Sequence, residues 1–197
     1  MKFENVIIGL CAAFTLSACG GSEGGASFDQ LISRSGQALV DIEAGGYNYL
    51  IAAPAQSRAS MDGIALIGVN GHTASDEIIL GKMTMDVNFS GGSASGTINE
   101  FALYDVAATL THEQDLGGSV TYAADVDMAN AIFAAPIDGS GSGTMQIPGG
   151  STANVEFGIG GDFYEVSSGL SSYGGIEGVA TVGGSGNVLV GQYVVSE

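Results

Sequence analysis

Over residues 79–89 apolar side chains or glycine hold the odd positions (Ile79, Gly81, Met83, Met85, Val87, Phe89), and Lys82, Thr84, Asp86 and Asn88 hold most of the even ones. A period of two sustained over this run predicts a half-buried β-strand. Ser90-Gly91-Gly92-Ser93-Ala94 follows, and a second strand is predicted over 95–104, which makes a hairpin. The alternation returns over 153–159 and continues to Phe163. Near the C-terminus, runs at 176–182 and 187–195 flank Gly183-Gly184-Ser185-Gly186, a second hairpin signal. Shorter strands are predicted at 38–42, 47–52, 63–69, 119–124 and 143–147, and one helical stretch at 29–39. The run Asp138-Gly139-Ser140-Gly141-Ser142-Gly143 reads as a turn or flexible loop.

Short strands at regular spacing with glycine turns predict an all-β fold. We expect a soluble antiparallel β-barrel of about eight strands, because closure removes the edges at which exposed sheets aggregate. The barrel is expected over residues 76–197, with a small strand-containing N-terminal region at 28–75 packed on it or leading into it. A membrane barrel is disfavoured, since Lys82, Asp86 and Glu156 fall on the predicted outer face and do not make a lipid-facing band.

The first residues obey a different pattern. From Val6 to Leu16 no side chain is charged, and Ser17-Ala18-Cys19 closes the run with small residues. An apolar segment this short rises only about 16 Å as a helix, roughly half of a bilayer core, so it reads as a signal peptide over 1–18. Leu16-Ser17-Ala18-Cys19 resembles the lipobox of bacterial lipoproteins, which implies acylation of Cys19 as the mature N-terminus. Residues 19–27, rich in glycine, are expected to be a flexible tether.

Composition narrows the partners. Cys11 and Cys19 are the only cysteines, so a chain cut before Cys19 has no thiol for a disulfide or a thiolate metal site. Arg34, Arg58 and Lys82 are then its only basic side chains apart from the two histidines, and the net charge stays at −17 because cleavage removes Lys2 and Glu4 together. Nucleic acid is excluded as a partner, since phosphate binding draws on clustered Lys and Arg. An acidic surface also keeps exposed proteins dispersed without any specific partner. The 33 glycines show no G-X-Y period, which excludes collagen, and the scattered Val, Ile, Phe and Tyr exclude a disordered Gly/Ser polymer.

Met83-Thr84-Met85-Asp86-Val87-Asn88-Phe89, then Ser95-Gly96-Thr97-Ile98 and Phe101, resemble a strand-turn-strand pattern of one family. It is the β-barrel domain of the transferrin-binding-protein-like lipoproteins, a group that includes factor H-binding protein. Gly161-Asp162-Phe163-Tyr164 with Gly174-Gly175 is similar to a second element of that family, although Glu165 stands where the family usually has Gly. The resemblance covers about residues 60–197 and rests on structural motifs. It implies a lipid-anchored outer-membrane protein, often displayed at the cell surface, that binds a protein or a small iron-linked ligand and performs no chemistry. A neighbouring outer-membrane transporter or exporter is the kind of partner it implies. Transferrin binding itself does not carry over, because two-lobed receptors engage it mainly with the first lobe and this chain has room for one barrel.

Catalytic motifs are sparse. Gly20-Gly21-Ser22-Glu23-Gly24 fits G-x-S-x-G but lacks the strand before and helix after that strain the serine, so a hydrolase is the least favoured reading. No Walker, dinucleotide, C-x-x-C or H-E-x-x-H spacing occurs. His72 and His112 invite a metal or haem site with Tyr or carboxylate ligands, but two solvated loop histidines is the favoured reading, and no cofactor or metal is expected. Tyr47 and Tyr49 are expected to share a strand face, and Phe163 and Tyr164 to point oppositely. Cys19 is the one site residue nominated. The expected function is a non-enzymatic, surface-exposed binding module of the outer membrane, with a periplasm-facing structural or accessory lipoprotein as the alternative.

Overall fold

The computed structural model describes residues 26–47, 49–107, 110–131, 135–167 and 169–197. One helix, α1 (Phe28–Ala44), precedes nine strands: β1 (Arg58–Val69), β2 (Glu77–Asn88), β3 (Ser93–Asp105), β4 (Thr111–Asp115), β5 (Gly118–Val126), β6 (Ile137–Gln146), β7 (Thr152–Val166), β8 (Gly169–Val182) and β9 (Ser185–Ser196). The strands pair in the order β2-β1-β9-β8-β7-β6-β5-β3-β4, all antiparallel, and β2 also pairs with β3. That last pairing closes an eight-stranded barrel with β4 as an extra strand. The expected antiparallel barrel is thus observed. Among the described residues no helix is long and apolar enough to cross a membrane.

Both hairpins read from the sequence are present, as β2–β3 and β8–β9. The second turns on Gly183 and Gly184, whose φ values of 56° and 86° are those of a two-residue turn matching strand twist. β4 and β5 pair with successive halves of β3 and are interrupted at Leu116-Gly117. Opposite this break, the β2–β3 register slips between Leu80 and Lys82, with Glu100 at φ 46°. This bulge reverses which side chains of β3 face inward: Ala94 and Ile98 before it, Phe101 and Leu103 after it. Ala102 and Tyr104 are thereby turned outward, onto the helix.

Helix α1 lies along the outside of the barrel. Ser27 and Gln30 form a reciprocal capping box at its start. Its end is closed by bonds from Gly46 N to Glu43 O and from Tyr47 N to Ile42 O, with Gly46 left-handed. Leu31 and Ile32 pack on Ile64, Leu66, Ile78 and Leu80, while Ala38 and Leu39 pack on Val194. Arg34 pairs with Asp62 on β1, and Ser35 Oγ donates to Val194 O.

The N-terminal expectations need correction. Residues 38–42 belong to the helix: a strand face would bury Val40 with Ala38 and Ile42, but Val40 is 38% exposed and Leu39 is buried in its place. Residues 47–52 hold one isolated bridge, Tyr49 to Tyr164, because Tyr47 is left-handed at φ 56° and breaks the extended run. The barrel begins at Arg58 rather than at residue 76, since β1 joins β2 to β9. The N-terminal region is therefore a helix and a connecting segment, not strands. The signal peptide 1–18, Cys19 and the tether as far as Gly25 lie outside the described residues. Of the expected tether, Ala26 packs beside the helix cluster and Ser27 is its cap.

The run 138–143, read as a turn or loop, is the middle of β6. Its serines face out, Gly141 stands beside the Phe157 ring, and Gly139 and Gly143 lie close against the backbone of β5. Around the barrel wall, residues in direct register run Gly96, Tyr122, Gly141, Phe157, Gly178, Leu189. Large side chains alternate with glycine, so each ring spreads over the space its neighbours leave. A Cβ on Gly141 would lie 2.4 Å from Phe157 Cζ, and one on Gly96 would lie 2.6 Å from the Tyr122 hydroxyl. That hydroxyl crosses Gly96 and donates to Thr84 O at 2.7 Å. Gly141→Ala is expected to destabilise the fold by about 1–3 kcal/mol through overpacking, while Ser140→Ala on the outer face stays within about 0.5 kcal/mol. Urea unfolding of the two variants checks this, and equal losses would contradict the inward alternation.

Candidate functional site: a tyrosine cleft over a glycine floor

Because the barrel interior is filled by side chains, binding chemistry has to be sought on its outer face. There β7 and β8 bring Gly160-Gly161-Asp162 against Tyr173-Gly174-Gly175, in the register Gly160 to Gly175, Gly161 to Gly174 and Asp162 to Tyr173. Four glycines make a floor of bare backbone. Gly161 and Gly174 are also required from within, since the Tyr193 ring lies beneath both and a Cβ on Gly161 would meet its hydroxyl at 2.3 Å. The floor is open outside because Gly160 and Gly175, the positions facing outward between them, carry no side chain, and a Cβ on Gly175 would meet nothing within 4 Å.

The walls come from three places. Tyr164 follows from β7 and Tyr173 from β8, while Tyr47 and Tyr49 are laid over them by the chain leaving α1. The paired left-handed residues Gly46 and Tyr47 turn the backbone there, and Leu50 N bonds to Phe163 O at 2.8 Å to hold it. Tyr49 and Tyr164 stack with centroids 5.3 Å apart and planes tilted by 37°. The cleft encloses about 360 Å³ and is lined also by Asp162 and Gln192. Tyr47 and Tyr49 remain 43% and 49% exposed, which is unusual for rings of this size.

Burial pushes the Asp162 carboxyl above its usual range. It has no hydrogen-bond or ion-pair partner among the described residues. The buried amide oxygen Oε1 of Gln192 likewise accepts no hydrogen bond. Burial, reinforced by the charge of Asp162 and by the phenols of Tyr49, Tyr173 and Tyr47, raises the Tyr164 hydroxyl far above 10.0. The cleft thus combines aromatic faces, a carboxylate and an amide oxygen, two acceptors in need of donors.

Beside the cleft, the outer face of β5–β8 forms a shallow depression of about 780 Å³ floored by small residues such as Ala123, Ser140, Ser142 and Gly158. Glu156 and Glu177 border it. Helix α1 covers the opposite side of the barrel and leaves this face bare. From Met83 to the C-terminus the chain has no Lys or Arg. Lys82 and Arg34 are committed to Glu100 and Asp62.

The two histidines are not brought together into a ligand set. His112 on β4 pairs with Asp115 at 2.9 Å and meets Tyr104 edge-on, whereas His72 lies in the β1–β2 turn. Among the described residues no three His, Cys, Asp or Glu side chains are arranged to hold a metal. Cys19 and the G-x-S-x-G run at 20–24 lie outside the described residues. Phe163 and Tyr164 do point oppositely, into the core and into the cleft. Asp162, Tyr173 and Gln192 carried no signal in the sequence beyond their neighbouring glycine pairs. No family model, curated protein or solved structure matches the chain.

Burial likewise raises Tyr104, Tyr122 and Tyr193 above 10.0. The folded chain keeps these phenols protonated where unfolded tyrosine ionises. Their contribution to stability is complete below pH 10 and is lost as pH rises toward the folded values. Spectrophotometric titration is expected to show Tyr104, Tyr122, Tyr164 and Tyr193 ionising only as alkali opens the barrel, at higher pH than in the urea-unfolded chain. Ionisation of these four in the folded state at the pH of the unfolded chain would contradict the packing.

Proposed function

We propose that this protein is a non-enzymatic binding module of the bacterial outer membrane, anchored by lipid on Cys19 and displayed at the cell surface. Its binding face is the tyrosine cleft with the adjoining bare face of β5–β8. The observation that carries this reading is the placement of the two helix ends. Phe28, which follows the tether, stacks near Tyr104 at the β3–β4 end of the barrel, 6.1 Å between centroids. Asp41, near the other end of the helix, accepts a bond from Ser167 in the β7–β8 turn, beside the cleft. The helix has 17 residues, so about 25 Å separates its two ends. With an anchor at Cys19, the attachment point lies at the opposite end of the helix from the cleft, which supports an outward-facing cleft.

A protein and a small iron-linked ligand are the two occupants implied by the resemblance. The breadth and shallowness of the bare face support the protein. Acylation of one N-terminal cysteine supplies the several chains that stable anchoring requires. Cys19→Ser is expected to move the protein from the membrane to the soluble fraction and to abolish its labelling by radioactive palmitate. Protease added to intact cells is expected to remove the folded domain while periplasmic proteins survive. Protection in intact cells with digestion after lysis would instead make it a periplasm-facing accessory lipoprotein.

A further inference from the structure

We propose that the tyrosine cleft seats an arginine side chain of a partner protein whose basic surface docks on the bare acidic face. This rests on the reading of that face as the binding face and names the chemistry it selects. Three observations converge on a cationic, donor-rich group. The first is Asp162 on β7, a carboxylate with no hydrogen-bond or ion-pair partner among the described residues and with Tyr173, not a cation, as its cross-strand neighbour. The second is Gln192 Oε1, a buried acceptor lining the same cleft with no donor. The third is the stacked pair Tyr49 and Tyr164 with the half-exposed Tyr47, whose faces are electron-rich.

Guanidinium fits this set better than ammonium. It is planar, weakly hydrated and stacks on aromatic faces while offering five N–H donors, so one group can meet a carboxylate, an amide oxygen and a ring at once. Lysine is a compact, strongly hydrated point charge that gains less from an open, flat-sided cleft. The glycine floor admits the planar group against backbone without a Cβ in the way. Long-range charge acts in the same sense. Asp125, Asp138, Glu156 and Glu177 are exposed on the neighbouring strands, and no Lys or Arg follows Lys82 in the chain. A second copy of this protein is disfavoured as the occupant, because its net charge of −17 would meet the same sign. The partner is therefore a different protein with a basic face.

Ionised Asp162 carries a desolvation cost that no partner among the described residues relieves. Because its folded pKa is raised, this group favours the folded state fully below 3.8, and that contribution is lost as pH rises through the raised value. At neutral pH Asp162→Asn is accordingly expected to melt higher than the parent. A change that stabilises the fold while weakening binding marks a group kept for its ligand.

The test is an amide NMR titration of the full chain, produced in a bacterial host and held in detergent micelles, with acetyl-Gly-Arg-Gly-amide. Saturable shifts are expected at the amides of Gly160, Gly161, Gly174 and Gly175, with acetyl-Gly-Lys-Gly-amide weaker and acetyl-Gly-Gln-Gly-amide inert. Asp162→Asn, its spectrum still dispersed, is expected to weaken arginine binding by about tenfold or more. Equal shifts from the arginine and glutamine peptides, or none at these glycines, would overturn the proposal. So would N-acetylglucosamine moving these amides when arginine does not, which would make the cleft a neutral sugar site. Surface display is read separately by protease on intact cells, so either reading can fail alone.

Discussion

Closing eight strands into a ring fixes a cross-section that all inward side chains must share, and the rest of this structure follows from how that volume is divided. A barrel of this size is just wide enough for side chains to fill. Here the filling is uneven by design of the sequence: Tyr122, Phe157 and Tyr193 each spread over glycines of adjoining strands. A single large ring replaces two medium side chains, and the strands beside it keep their backbones bare. The high glycine content is thus a packing requirement of the wall as much as a property of the turns.

The outside inherits that division. Tyr193 keeps Gly161 and Gly174 bare from within, while the outward-facing Gly160 and Gly175 between them leave the floor of the tyrosine cleft open. Helix α1 then sorts the outer face into two halves. Over β1, β2 and β9 the outward residues are Ile64, Leu66, Ile78, Leu80 and Val194, and the helix buries them. Over β5 to β8 they are mostly small, polar or acidic, with Val179 exposed among them and Tyr164 and Tyr173 forming the cleft. The helix end is also where Gly46 and Tyr47 redirect the chain, which joins the cover of one half to the cleft on the other.

Charge follows the same partition. Arg34 and Lys82 are held by Asp62 and Glu100 on the covered side, and Lys82 lies 5.7 Å from the Phe28 ring. Pairs this exposed add little stability, but they leave no cation to offset the carboxylates of the bare side. The negative potential there follows from the pairing of Arg34 and Lys82 on the covered side and from the absence of Lys and Arg after residue 82.

Period-two alternation determined β2, β3, β7, β8 and β9 from sequence alone, because each buries one face and hydropathy reports burial directly. The same logic failed in β6, where the inward residues are glycines: their hydropathy says nothing, and only the rings of Tyr122 and Phe157 across the pairing explain them. It failed again at 38–42, where alternation and helical spacing fit equally well until the outer surface of β9 was there to bury Leu39 rather than Val40. Cys19 could be singled out from sequence because the lipobox it resembles is read from four adjacent positions. The cleft was not, since Tyr47, Tyr49, Asp162, Tyr173 and Gln192 stand far apart in the chain. Sequence fixes what each strand hides, by hydrophobicity repeated at short range, whereas strand pairing and the turn after the helix decide which exposed residues meet.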